Sequence, residues 1–165
     1  MKSGFTLIEL LVAISIIAVL STIGLFAFSS VQKSARDSVR KGDLRTLATA
    51  LEIYYQKNNT YPIPAPIVSN NNTAWSDQTT TTWSALATAL VPTFIDHVPN
   101  DPINGGSCCG SNWYIYAYII LKGGQAFRLC ANLENKNDND INVSPANSCA
   151  PATSPFFGIY KVDSP

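Results

Sequence analysis

The sequence predicts an α+β fold, with one long N-terminal helix packed on a small antiparallel β-sheet. Three observations predict it. Apolar residues crowd the front of the chain, 19 of the 27 positions from Phe5 to Val31. A helix-period stripe continues behind them. Strand-like segments rich in aromatic and β-branched residues, joined at Lys122-Gly123-Gly124, fill the second half.

The helix reads as two stretches. From Leu10 to Gln32 no residue is charged, and about 20 such residues suffice to span a bilayer as a helix. The hydroxyls of Ser15, Ser21, Thr22, Ser29 and Ser30 can return to backbone carbonyls one turn earlier. Behind this run, Leu44, Leu47, Ala48, Leu51, Tyr54 and Tyr55 keep the i, i+3, i+4, i+7 spacing of a buried stripe, extended weakly by Ala35 and Val39. Lys33, Arg36, Arg40, Lys41, Arg45 and Glu52 fall on the opposite face, as for a solvated side. Gly42 is the weak point. Lys57, Asn58-Asn59 and Tyr61-Pro62 together form a stop signal. The helix is expected from about Phe5 to Lys57.

Residues 62–82 read as a loop, and Thr82 or a neighbouring threonine caps a short helix over 83–91 with Trp83, Leu86, Ala87 and Leu90 inward. Residues 112–121 and 125–133 read as a hairpin with Phe127, Leu129, Ala131 and Leu133 on one face. A third strand is expected over 156–162.

The charge balance narrows the function. Eleven basic and eleven acidic residues cancel, and charged residues are only 13% of the chain. That excludes a disordered polyelectrolyte and a strongly basic nucleic-acid binder. The neutrality is uneven. Residues 1–57 hold seven basic and four acidic groups; residues 58–165 hold four and seven. No nucleophile–base pair, phosphate-cradling glycine loop or paired carboxylates appear, so the sequence does not read as an enzyme. The one histidine, His97, has no second histidine to work with and reads as a loop residue.

The string Gly4-Phe5-Thr6-Leu7-Ile8-Glu9, followed by the uncharged run, resembles the N-terminus of type IV pilin-like prepilins, including the pseudopilins of type II secretion. The resemblance implies a pilin fold. It also implies cleavage after Gly4 by a prepilin peptidase and methylation of the new N-terminal Phe5. Glu9 falls on the family's assembly glutamate. A carboxylate among packed apolar helices needs a cation, and the amine of Phe5 in a neighbouring subunit supplies one. The stretch Ala50-Leu51-Glu52-Ile53-Tyr54 with Asn58-Asn59-Thr60-Tyr61-Pro62 looks like the major pseudopilin of type II secretion and related small pilins, and Ile95-Asp96-His97-Val98-Pro99 followed by Asn100-Asp101-Pro102 resembles the family's short connector. The expected organisation is a leader at 1–4, a transmembrane or filament-core helix at 5–31, an amphipathic helix half at 32–57, and a globular head at 58–165.

Two further sites are expected in the head. Cys108 and Cys109 are adjacent and do not readily join each other, so each is expected to pair with one of Cys130 and Cys149; zinc is the alternative. In the run Glu134 to Asp140, Asp138 and Asp140 are candidate calcium ligands, encouraged by the calcium loop of the major pseudopilin. A solvated loop is the alternative, and Lys136 opposes a cation.

The leading expectation is a structural subunit of a type IV pilus-like extracytoplasmic filament, with a type II secretion pseudopilin as the alternative and a monomeric membrane-anchored binding protein behind both. Expected partners are further copies of the chain, the prepilin peptidase, an assembly ATPase and an inner-membrane platform, and DNA only for an uptake pilus. The expected localisation is a single-pass stage in the inner membrane, then the filament or cell surface.

Overall fold

The computed structural model describes residues 6–64, 73–76, 81–105, 114–141 and 159–164, without the side chains of 23–27. Helix α1 spans Leu7–Asn58, β1 Thr73–Trp75, α2 Thr81–Leu90, β2 Tyr116–Leu121, β3 Ala126–Asn132 and β4 Ile159–Asp163. The chain divides into two compact units, Met1–Ala35 and Arg36–Pro165.

The first unit is a helix with little to bury. Leu7, Ile8, Leu10, Leu11, Ile16 and Leu20 are all more than half exposed. Its hydroxyls behave as the sequence suggests. Ser15 donates to the carbonyl of Val12 at 2.8 Å, and Thr22 to that of Val19 at 2.7 Å.

The expected single-pass membrane stage is corrected here. Among the described residues no helix is long and apolar enough to cross a membrane. The inner-membrane localisation falls with it.

The second unit is a helix laid on a sheet. Its four strands stand in sequence order, β1-β2-β3-β4, and every pair is antiparallel. In the central pair Tyr118 faces Leu129 and Ile120 faces Phe127. Alternation therefore puts Tyr116, Tyr118, Ile120, Phe127, Leu129 and Ala131 on one face, and all are buried. Leu44, Leu47 and Leu51 of α1 are fully buried in the same cluster, with Trp83, Leu86 and Leu90 of α2. Each such leucine contributes about 2 kcal/mol of burial.

Tyrosine hydroxyls fasten both the sheet and the segment after the helix to α1. Tyr116 of β2 donates to Asp43 at 2.6 Å, and Tyr61, just past the helix end, to Glu52 at 2.9 Å. Burial pushes the Tyr116 hydroxyl well above its ordinary range, and the Asp43 carboxylate adds to the rise.

The helix ends where the stop signal places it. Asn59 adopts the left-handed conformation with φ 58°, and its N–H donates to the carbonyl of Tyr55 at 2.7 Å. The hairpin turn uses Gly123 and Gly124 at φ 64° and 91°.

Three expectations are corrected. Within the segment read as a loop, Thr73–Trp75 forms edge strand β1, paired with β2. The first hairpin strand starts at Tyr116 rather than 112, and Tyr114 instead bridges to Gly105. Arg40, assigned to the solvated face, is fully buried, while Val39 is half exposed. Arg40 stands four residues before Leu44, so it is the stripe itself that runs back into charged residues.

Candidate functional site

Thr6 and Glu9 begin α1. The Thr6 hydroxyl donates to the Glu9 carboxylate at 2.6 Å and the Thr6 N–H does so at 2.8 Å. The Glu9 N–H returns to the Thr6 hydroxyl at 3.3 Å. This reciprocal pair is a capping box, which satisfies donors that the first helical turn leaves open. The bonds from Thr6 hold the Glu9 carboxyl below its ordinary range. Glu9 is exposed, on the same helical stretch as Ile8, Val12, Ala13 and Ile16. The processing residues Gly4 and Phe5 lie outside the described residues.

A second polar cluster closes the far end of the buried stripe. The Arg40 guanidinium donates to Asp101 at 2.7 and 3.0 Å, to Asp37 at 2.7 Å and to Glu134 at 2.8 Å. Arg36 meets the same Glu134 through two bonds of 2.6 Å. Asp37 in turn accepts the N–H groups of Glu134 and Asn135, and Asp101 those of Ile103 and Asn104. Arg40 also sits 4.8 Å from the ring centre of Tyr114. Burial works against the charged guanidinium. Its bonds to Asp101, Glu134 and Asp37 outweigh that and raise its pKa. The Glu134 carboxyl is lowered to about 2, chiefly by Arg36 and then, against burial, by Arg40. One helix face thereby grips two loops, the Asp101-Pro102 connector and the segment after β3.

The acidic run holds the third cluster. Asp138 and Asp140 both accept from the Lys41 ammonium at 2.6 Å. The Asp140 N–H donates to the Asp138 carboxylate at 2.9 Å. Lys136, the residue read as opposing a cation, turns away and donates to Asn132 at 2.9 Å. Calcium takes six to eight oxygens. Among the described residues no group of three or more His, Cys, Asp or Glu side chains could hold a metal, and the nearby carboxylates are engaged by arginines. Among the described residues, the set does not fit the ion.

Cys130, on the sheet face with Ala117 and Ile159, is disulfide-bonded. Cys108, Cys109 and Cys149, among which the expected pairing would be decided, lie outside the described residues. His97 is exposed.

Sequence reasoning singled out Glu9, Asp138 and Asp140 but missed Lys41 as the partner of the two aspartates and the separate cluster of Arg40 with Asp37, Asp101 and Glu134. The signal for Arg40 was present. Counting back from Leu44 and Leu47 by four and by seven or ten residues lands on Arg40 and Asp37.

A long helix with a capped, exposed apolar N-terminal stretch, its second half covered by a four-stranded antiparallel sheet, defines a pilin-like α+β protein. The chain is prepilin- or pseudopilin-like on two further findings. Residues 1–25 match the family model described as the prokaryotic N-terminal methylation motif. Over 61 residues the chain is 38% identical to the type II secretion system core protein G of Pseudomonas aeruginosa (strain PAO1), covering 37% of this chain and 43% of that protein. The chain thus spans less than half the length of the curated relative it matches. No solved structure matches it.

Proposed function

We propose that this chain is a non-enzymatic structural subunit of a pilus-like filament, and specifically a pseudopilin of type II secretion. The similarity to the secretion core protein carries the choice. It favours the secretion role over the pilus role to which the sequence alone leaned. The methylation motif supports cleavage after Gly4 and methylation of Phe5. The partners follow from that reading: further copies of the chain, a prepilin peptidase, an assembly ATPase and an assembly platform.

In this role the exposed apolar face of 7–22 is the surface that other copies cover. Glu9 sets axial register by meeting the Phe5 amine of a neighbour. Cysteine placed at Ile16, which is 54% exposed, tests this. Oxidation in cells should give ladders of cross-linked chain; monomers alone would refute the filament. The capping box offers a competing account of Glu9. Glu9→Ala and Thr6→Ala both break the cap, but only the first removes the carboxylate. Assembly should fail in Glu9→Ala and persist in Thr6→Ala. Equal failure would assign Glu9 to helix capping alone. Loss of an enzyme's release from cells lacking the chain, with surface pili retained, separates secretion from pilus.

A further inference from the structure

We infer that the acidic loop after β3 carries its own cation: the Lys41 ammonium fills the place between Asp138 and Asp140, so the loop is ordered without calcium. The observation is geometric. One ammonium lies 2.6 Å from an oxygen of each carboxylate. The Lys41 and Asp138 side chains are 17% and 19% exposed, so the contact is partly withdrawn from water. The same ammonium stands 5.7 Å from the ring centre of Tyr160 on β4.

The loop is built around this contact. The Asp138 carboxylate oxygen that meets Lys41 also accepts the Asp140 N–H, which holds the two aspartates on one side of the turn. The Ile141 N–H donates to the Asp138 carbonyl at 3.2 Å, and the Asp138 N–H to that of Asn135 at 3.2 Å. A bare pair of carboxylates so close would repel, and a cation between them relieves that repulsion. A divalent ion and the ammonium cannot share the same oxygens. Lys41 stands on α1 one residue after the buried Arg40. Burial alone would lower the Lys41 pKa. Its bonds to Asp138 and Asp140 reverse that and raise it, so it stays charged. The exchange of a diffusible ion for a covalently attached one makes loop order independent of calcium supply.

Hydrogen exchange over residues 134–141 of the full chain, dispersed in mild detergent, tests this. It does not depend on filament assembly. In wild type, exchange in EGTA and in millimolar calcium chloride should coincide. Lys41→Met should speed exchange in this segment roughly fivefold or more, with β3 unchanged. Lys41→Arg should restore protection. Asp140→Asn, at the more exposed of the two carboxylates, should give an intermediate rate and cannot be dismissed as global unfolding. Slower wild-type exchange in calcium would overturn the inference. So would a Lys41→Met or Asp140→Asn loop that exchanges like wild type in EGTA.

Discussion

Replacing Arg40 by Met should unfold the second unit more readily than any other single charge removal in it. The side chain is fully buried and lies against three carboxylates, and the side chains of Asp101 and Asp37 are 0% and 3% exposed. Methionine fills much of the volume but leaves Asp101 and Asp37 without the guanidinium, while Glu134 keeps Arg36. Breaking a buried pair from one side costs about 3–5 kcal/mol, because the stranded charge has neither water nor partner. For a folded unit of this size, each kcal/mol moves the melting midpoint by about 3–4 °C. The midpoint should therefore fall by about 10–20 °C, read by circular dichroism on heating the full chain. Removal of Arg36, whose side chain is 32% exposed, should move it by a few degrees at most. Adding Asp101→Asn to Arg40→Met should recover part of the loss, since the amide keeps an acceptor for the Ile103 N–H and sheds the stranded charge. An Arg40→Met loss below about 1 kcal/mol would refute the reasoning, as would a double variant no better than the single one.

Acid should act through the same cluster. The Glu134 carboxyl is held at about 2, below its ordinary 4.5, so the unfolded chain takes up the proton first as pH falls. Its contribution, roughly 2–3 kcal/mol, is present above about pH 4.5 and lost as pH falls toward 2. Urea melts of Glu134→Gln across that window should show a shallower slope than wild type. At Gly42 a new Cβ would meet nothing within 4 Å, so Gly42→Ala should raise stability by up to about 1 kcal/mol, about 3 °C on heating. At Gly124 the same addition would lie 2.6 Å from the Thr60 hydroxyl, at φ 91°. Gly124→Ala should cost about 1–3 kcal/mol by urea titration.

Much of the architecture was readable because it rests on short-range patterns. Leu44, Leu47 and Leu51 announce a buried stripe by spacing alone. Phe127, Leu129, Ala131 and Leu133 announce a sheet face by alternation. Asn59 and Gly123-Gly124 announce chain reversals by conformational freedom. The charged end of the stripe was hidden for a physical reason. Arg40 and Asp37 keep the buried period but not the apolar character. Their burial is tolerable only because Asp101 and Glu134 arrive from loops 61 and 94 residues away. Strand β1 was hidden likewise. Three residues among prolines and asparagines carry no alternation of their own, and Thr73–Trp75 is a strand only because β2 offers it an edge. At the N-terminus the motif was plain, but the Thr6–Glu9 cap was overlooked because the glutamate already had an explanation.

The separation across the arginine cluster has a consequence for biosynthesis. Arg36 meets Glu134 across 98 residues of chain. At about 5–20 residues per second, the helix emerges some 5–20 seconds before its last anchor exists. During that interval a stripe of leucines continued back through positions 40 and 37 would leave a longer apolar face open to water. Charged residues at those positions shorten that face. Asp37 can meet Arg40 within the helix, Asp101 follows after 61 residues and Glu134 after 94, so the cluster is completed in chain order.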